Sequence, residues 1–267
     1  MIKINDAIIE NKQFPDNTKL MRYDASGSTK FEVIWCYDSD DELVMLYYLV
    51  SHIRSICSKA EISLTMPYIP NARMDRVKNN DEVFTLKYFA SLLNSMKFES
   101  VNVYDPHSNV SQALIDRIRI IPHTDIINEV MTKINFDKSS DYLFYPDAGC
   151  AKKYEGILEY PYLKGEKERD WRSGKINNLR LLGEIGEQGF GVLIIDDICS
   201  RGGTFYHSAD KLKKAGAGNI YLYVTHCENS ILDGDMIKSG LIDRVFTTDS
   251  IYTGHHPDIE IVRSFRK

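Results

Sequence analysis

VLIIDDICSRGGTF, residues 192–205, is the stretch on which the reading of this chain turns. Four apolar residues, Val192, Leu193, Ile194 and Ile195, predict a strand buried on both faces, as in a parallel sheet. Asp196 and Asp197 follow at its carboxyl end. Past a short spacer and Arg201 come Gly202, Gly203 and Thr204, then a helical pattern over 205–214. Strand, acid pair, glycine-rich turn and helix together build an anion cradle. Glycine lets the backbone approach a phosphate, the first helical amides point at it, and the helix dipole favours negative charge there. The acids suit ribose hydroxyls or a metal ion. An ordinary β–α turn is the alternative, but adjacent carboxylates at a strand end are costly without partners.

The totals narrow the classes. At 267 residues the chain can hold one large or two modest domains. Its net charge is −5, from 33 basic and 38 acidic residues. With no global basic field, DNA and RNA are not expected partners. Five scattered cysteines without CxxC spacing argue against a zinc site or disulfide framework and for a reducing compartment. The opening MIKINDAIIENK lacks a signal pattern, and no apolar run approaches membrane-spanning length. The expectation is a soluble cytoplasmic protein with no membrane partner.

Along the chain, residues 1–30 are weakly patterned, with a turn expected at Phe14-Pro15-Asp16-Asn17. A strand is expected over 31–37 and a helix over 42–57. The helix core face is expected to carry Leu43, Leu46, Tyr47, Val50, Ile53 and Ile56, with His52 structural. A strand over 61–68 runs into PYIPNARMDRVKNND, where Arg73, Arg76 and Lys78 lie past a strand's carboxyl end, the usual ligand side of an open α/β sheet. A helix over 85–96 and a strand over 100–104 lead to DPHS. There His107, Asp105 and Asp116 form a weak divalent-metal pattern, with helical spacing from Ser111. After a helix over 124–134, a strand over 142–145 enters PDAGCAKKY, where Asp147 and Gly149 repeat the strand–acid–glycine theme. A short strand at 160–163 opens KGEKERDWRSGK, which has too few apolar residues to pack and reads as a mobile cationic flap. Beyond the 192–205 stretch, strands are expected at 219–225, 244–248 and 259–265, with a helix near 233–239. Alternating strands and helices predict an α/β fold of mainly parallel sheets with helices on both faces, in two similar units, 1–135 and 136–267.

These motifs, in this order, resemble those of the ribose-phosphate pyrophosphokinases. PYIPNARMDR is similar to the family's PYxxYARQDR, DPHS to DLHA, PDAGCAKK to PDxGGxxR, and DDICSRGGT to DDxxDTGGT. KER at 167–169 resembles the basic motif of the family's flap, and YLYVTH with RVFTTDSI fits its final segments. The resemblance spans most of residues 60–250. It implies two tandem phosphoribosyltransferase-like domains, an ATP side in 1–135 and a ribose-phosphate side in 136–267. The implied reaction is attack by the anomeric hydroxyl of ribose 5-phosphate on the β-phosphorus of MgATP, releasing AMP. By position, Phe14, Asp16, Arg73, Asp75, Arg76 and His107 would bind ATP. His107, Asp116 and Asp147 would hold magnesium. Asp147, Asp196, Asp197, Ser200, Arg201, Gly202, Gly203 and Thr204 would bind the acceptor, and Lys167, Arg169 and Lys164 are the candidate catalytic cations.

Several departures bear on the details. The family's FSDGE, which reads adenine from a neighbouring subunit, is FPDNT here, and Met74 stands where the family has glutamine. The segment before it is expected to be a shortened first strand and helix, and the family usually continues past the point where Lys267 ends. A homo-oligomer, at least a dimer, is expected, with regulation in doubt. Ser200-Arg201 replaces Asp-Thr. Either Arg201 faces solvent or pairs with an acid, or the acceptor carries more than a monophosphate. ADP-ribose would suit an arginine fork and link the chain to NAD metabolism. Two other classes share parts of the pattern: a type I phosphoribosyltransferase, which leaves PYIPNARMDR and DPHS unexplained, and a non-catalytic regulatory homologue.

Overall fold

A computed structural model describes residues 1–169 and 176–267, and only the backbone for 167–169 and 176–179. The Cα packing divides the chain into two compact units, Met1–Pro122 with Phe265–Lys267, and His123–Ser264.

The first unit contains β1 (Ile2–Ile4), β2 (Ala7–Ile8), β3 (Lys12–Gln13), β4 (Lys19–Leu20), β5 (Lys30–Trp35) and α1 (Asp41–Ile56). Then come β6 (Glu61–Thr65), α2 (Thr85–Ser95), β7 (Ser100–Tyr104), α3 (Val110–Leu114) and β8 (Ile118–Ile121). Among the described residues its main sheet runs β2-β1-β5-β6-β7-β8, parallel from β5 to β8 and antiparallel at β1. Its core joins Trp35, Leu46, Ile53, Leu64, Phe89 and Val103. On α1, Met45, Leu46, Leu49, Val50 and Ile53 are buried, whereas Tyr47 and Ile56, expected in the core, are about half exposed. The buried face is rotated toward Glu42, whose Oε2 accepts from Trp35 Nε1 at 2.9 Å and from the Asp38 amide at 2.9 Å. His52 lies on the exposed side with Nε2 3.0 Å from the Tyr23 carbonyl oxygen.

The second unit contains α4 (Thr124–Lys133), β9 (Tyr142–Tyr145), α5 (Ala148–Tyr154), β10 (Tyr162–Arg169), β11 (Ile176–Leu182) and β12 (Val192–Cys199). It continues with α6 (Gly203–Lys214), β13 (Ile220–Cys227), a 3-10 turn (Asn229–Asp233), α7 (Asp235–Ser239), β14 (Arg244–Thr248) and β15 (Ile259–Arg263). Its sheet order among the described residues is β11-β10-β9-β12-β13-β14-β15, parallel except for β10 with β11. β12 is central, and Val192 to Ile195 are at most 1 % exposed, with alternate side chains entering cores on the two faces. That is the double-sided burial expected of a continuous apolar run.

Three expectations change. The division falls at 122/123 rather than 135/136, because Ile126, Ile127, Val130 and Met131 of α4 pack with Leu143, Tyr154, Leu193 and Ile195 of the second unit. Residues 265–267 rejoin the first unit: the Phe265 ring sits 4.7 Å from Tyr104, and Arg266 Nη2 pairs with Asp38 Oδ1 at 2.7 Å. In the segment expected to be a mobile cationic flap, Lys164 to Arg169 belong to β10 and pair antiparallel with β11, while residues 170–175 lie outside the described residues. Backbone pairing supplies there what the apolar pattern does not.

Candidate functional site

In open α/β sheets ligands gather at the carboxyl ends of parallel strands. Toward that edge of the second unit, Asp196 and Asp197 follow the apolar run inside β12, and Cys199 beyond them is buried again. Asp197 is 8 % exposed, and its amide donates to Asp196 Oδ1 at 2.9 Å. Burial, and then the neighbouring charge of Asp197, hold the Asp196 carboxyl well above the usual carboxylate range; Asp147 adds to this. Three carboxylates are thus felt at one place, which creates a demand for a cation or for hydroxyl donors.

The chain then turns into α6 through Gly202, whose φ of 78° is left-handed, a conformation glycine adopts without steric cost. No side chain caps α6. Its leading amides therefore remain as donors, in the geometry that receives an anion at a helix start. Gly203 is exposed, and a Cβ built there meets nothing within 4 Å, so the cradle is open on that side. Arg201 is exposed and makes no ion pair among the described residues; Ser200 and Thr204 are half-buried. The sequence-predicted acceptor residues from Asp196 to Thr204 thus occupy one strand end and its turn.

Asp147 behaves differently. It is the N-cap of α5, and its Oδ1 accepts from the Gly149 and Cys150 amides, both at 3.1 Å. PDAGC is therefore a capped helix start rather than a second open cradle. Cys150 Sγ donates to the Ile195 carbonyl at 3.0 Å, fixing α5 beside β12.

Of the three candidate catalytic cations, Lys164 is described: its Nζ lies 2.9 Å from Glu155 Oε2 and 5.0 Å from the Tyr162 ring centre. The Tyr162 hydroxyl also donates to Glu155, at 2.6 Å. Lys164 therefore braces the base of the hairpin. The side chains of Lys167 and Arg169, and residues 170–175, lie outside the described residues.

In the first unit, Phe14 is 49 % exposed at the turn joining β3 and β4, and the adjoining Asp16 Oδ1 accepts from the Thr18 amide at 3.0 Å and hydroxyl at 2.6 Å. Past β6, Arg73 and Arg76 are exposed while Asp75 is buried, its Oδ1 3.1 Å from Arg76 Nε. Past β7, Asp105 is fully buried at a φ of 44° and His107 is exposed. Asp116 is exposed, with its amide donating to Asn94 Oδ1 at 3.0 Å. Among the described residues no group of three or more His, Cys, Asp or Glu is placed to hold a metal ion. Magnesium is commonly held by one or two carboxylates plus substrate phosphates. The all-oxygen donor set of Asp196, Asp197 and Asp147 fits that mode.

Sequence reasoning assigned no role to the polar layer beside β12. Thr225, His226, Thr248 and Ser250 are buried at the ends of β13 and β14; His226 Nδ1 lies 2.9 Å from Ser250 Oγ, and Thr248 Oγ1 donates to the Thr225 carbonyl at 2.7 Å. The signal was a run of buried hydroxyls just past two apolar strands. Among the described residues no helix is long and apolar enough to cross a membrane.

A scan of protein-family models returned no match. Curated relatives named ribose-phosphate pyrophosphokinase include that of Hyphomonas neptunium, 26 % identical over 260 residues, covering 92 % of this chain and 80 % of that one. Those of Pyrococcus abyssi, 27 % identical over 246 residues (89 % and 79 %), and Vibrio parahaemolyticus, 28 % over 224 residues (81 % and 69 %), carry the same name. A crystal structure of phosphoribosylpyrophosphate synthetase from Mycobacterium smegmatis superposes with a TM-score of 0.77 at 16 % identity, covering 96 % of this chain and 86 % of that one, which establishes the fold as two tandem phosphoribosyltransferase-like domains. Over nearly its whole length, and with the motifs in the same order, this chain is thus similar to curated ribose-phosphate pyrophosphokinases at 26–28 % identity.

Proposed function

We infer that the chain is an ATP-dependent diphosphokinase. It transfers the β,γ-diphosphate of ATP to the anomeric hydroxyl of a ribose 5-phosphate-type acceptor and releases AMP. The observation that carries this is the acid pair in the carboxyl-terminal half of β12 followed by the uncapped, glycine-opened start of α6. The amides of 203–205 bind the 5-phosphate, and Asp196 and Asp197 orient the ribose hydroxyls. Arg73, Arg76 and His107 of the first unit serve ATP, and Lys167 and Arg169 neutralise the transferring diphosphate. Phosphoryl-type transfer needs positioning and charge neutralisation more than covalent chemistry, so this division of labour is sufficient. Magnesium, bound through Asp147, Asp196 or Asp197 on the acceptor side and His107 or Asp116 on the ATP side together with substrate oxygens, supplies further neutralisation.

One observation favours an acceptor with a 5-diphosphate. Arg201 stands exposed and without an ion pair among the described residues, beside a cradle that is open at Gly203. An unpaired guanidinium fork is suited to a second phosphate, as in ADP-ribose. The site would serve a homo-oligomer, with Phe14 offered to a neighbour's adenine. AMP formation measured with ribose 5-phosphate and with ADP-ribose tests both levels. AMP with either acceptor supports diphosphate transfer, preference for ADP-ribose supports the role of Arg201, and strong preference for ribose 5-phosphate rejects that role. Base-dependent pyrophosphate release without ATP would instead indicate a phosphoribosyltransferase.

A further inference from the structure

The turn that carries the acceptor loop is shaped from behind by the segment following β13, to which no motif was assigned. Chain entry into this segment is set at the loop itself, because the Glu228 amide donates to the Cys199 carbonyl at 2.8 Å. Gly234, between the 3-10 turn and α7, lies against Arg201. A Cβ at Gly234 would land on the Arg201 carbonyl oxygen, 2.9 Å from its carbonyl carbon and 3.2 Å from its Cα. These are backbone atoms, which cannot swing aside as a side-chain tip can. The φ of Gly234 is −76° with ψ 151°, open to any residue. Closeness, and not backbone conformation, therefore demands glycine here.

Met236, 1 % exposed, completes the wall. A Cβ at Gly202 would lie 2.8 Å from Met236 Sδ and 2.9 Å from its Cβ. The segment is itself anchored on its far side. Asn229 Nδ2 donates to Thr253 Oγ1 at 2.7 Å, and Asn229 Oδ1 accepts from the Thr253 and Gly254 amides at 3.0 and 2.9 Å. Ile231 is fully buried in the same core as Met236 and Phe205 of α6. Packing is thus continuous from residues 253–254 through Asn229 and Gly234 to Arg201 and Gly202.

We propose that Gly234, backed by Met236 and Asn229, is a positioning residue that sets acceptor affinity by fixing the path of Arg201 and Gly202. This rests on the acceptor reading of residues 200–204. A methyl group at 234 displaces the Arg201 carbonyl, and with it both the guanidinium that would meet a second phosphate and the glycine that opens α6. The residues assigned to ATP belong to the other unit. A general destabilisation would lower all binding together, whereas a displaced loop lowers acceptor binding alone.

The test is Gly234→Ala in the full-length chain, read by AMP formation over separate ATP and acceptor titrations, by calorimetric binding of ribose 5-phosphate and ADP-ribose, and by thermal unfolding. Acceptor KM and Kd should rise about tenfold or more, as expected for sub-ångström to ångström misplacement. The KM for ATP should stay within about twofold, as uniform binding on that side is intact. Met236→Leu, which conserves volume, should stay near wild type, while Met236→Ala shifts acceptor KM in the same direction as Gly234→Ala. Unchanged acceptor affinity in Gly234→Ala, or parallel loss of ATP and acceptor affinity, overturns the proposal. If Gly234→Ala does not fold, Asn229→Ala must show the same split, and its absence there is equally decisive. Wild type that binds acceptor but forms no AMP rejects the diphosphokinase reading and leaves the calorimetric comparison to judge Gly234. Wild type that binds neither acceptor rejects both.

Discussion

Replacing Arg201 with threonine, the residue that the resembled motif carries, isolates the acceptor's second phosphate. A charge-assisted hydrogen bond contributes about 1.5–3 kcal/mol when well formed. Arg201 is exposed, so solvent screens part of this, and ordering its long side chain costs up to about 2 kcal/mol. A net of roughly 1–1.5 kcal/mol remains, which corresponds to about a tenfold rise in KM for ADP-ribose. Ribose 5-phosphate, held by the amides at the start of α6, should show no comparable change. Steady-state AMP formation by Arg201→Thr with each acceptor reads the difference directly. Raising ionic strength should shrink the wild-type preference, since an exposed charge pair is screened within about 10 Å at 0.1 M salt. An equal loss with both acceptors, or an unchanged KM for ADP-ribose, would refute the assignment of Arg201 to a second phosphate.

Other consequences follow from the same geometry. Because burial and Asp197 hold the Asp196 carboxyl above its ordinary range, the folded state keeps a proton that the unfolded chain releases. Stability is therefore full below the ordinary carboxylate pKa and falls as pH rises through the raised one. Asp196→Asn should flatten that decline and stabilise the ligand-free chain near neutral pH by roughly 1–3 kcal/mol; identical pH slopes in denaturant melts would contradict this. Lys167→Ala or Arg169→Ala should lower kcat by about 100-fold or more with ATP binding kept, as for groups acting in the transition state. Lys164→Ala, which loses the pairing with Glu155 and the contact with the Tyr162 ring, should cost far less turnover, and a kcat loss as large as that of Lys167→Ala would return Lys164 to the chemistry. Phe14→Ala should raise the KM for ATP without altering the melting temperature, since the ring is half exposed. If the ring serves a neighbour, activity should also fall on dilution, and a fully active monomer would remove it from the site.

Legibility differed along the chain for physical reasons. β12 and its turn could be read from residues 192–205 because burial on both faces leaves a continuous apolar run, and the acids and glycines sit directly after it. The strands β1 to β4 were hidden, since pieces of two or three residues carry no measurable alternation. β8 and β11 escaped notice as well. In β8, Arg119 and Ile120 are exposed on a sheet edge, and β11 pairs antiparallel with β10, with Leu181 packed on the core. The helical period of α4 identified a helix but could not say which core it joins, so the unit boundary was set about a dozen residues late. Asp147 was legible as an acid after a strand, yet its use as a helix cap depends on two amides that only the folded chain presents. Gly234 gave no signal at all: in SILDGD it reads as an ordinary turn, and only the approach of the Arg201 carbonyl gives it meaning.

The central claim is the bond that is broken. ATP cleaved between its α- and β-phosphates yields AMP and a diphosphate on the acceptor's anomeric carbon. Phosphorus NMR of the full reaction, with ATP, magnesium and either acceptor, resolves both products at once. The account predicts AMP and a new anomeric diphosphate in equal amounts, with acceptor required. ADP and a monophosphorylated acceptor, or cleavage of ATP independent of acceptor, would contradict it.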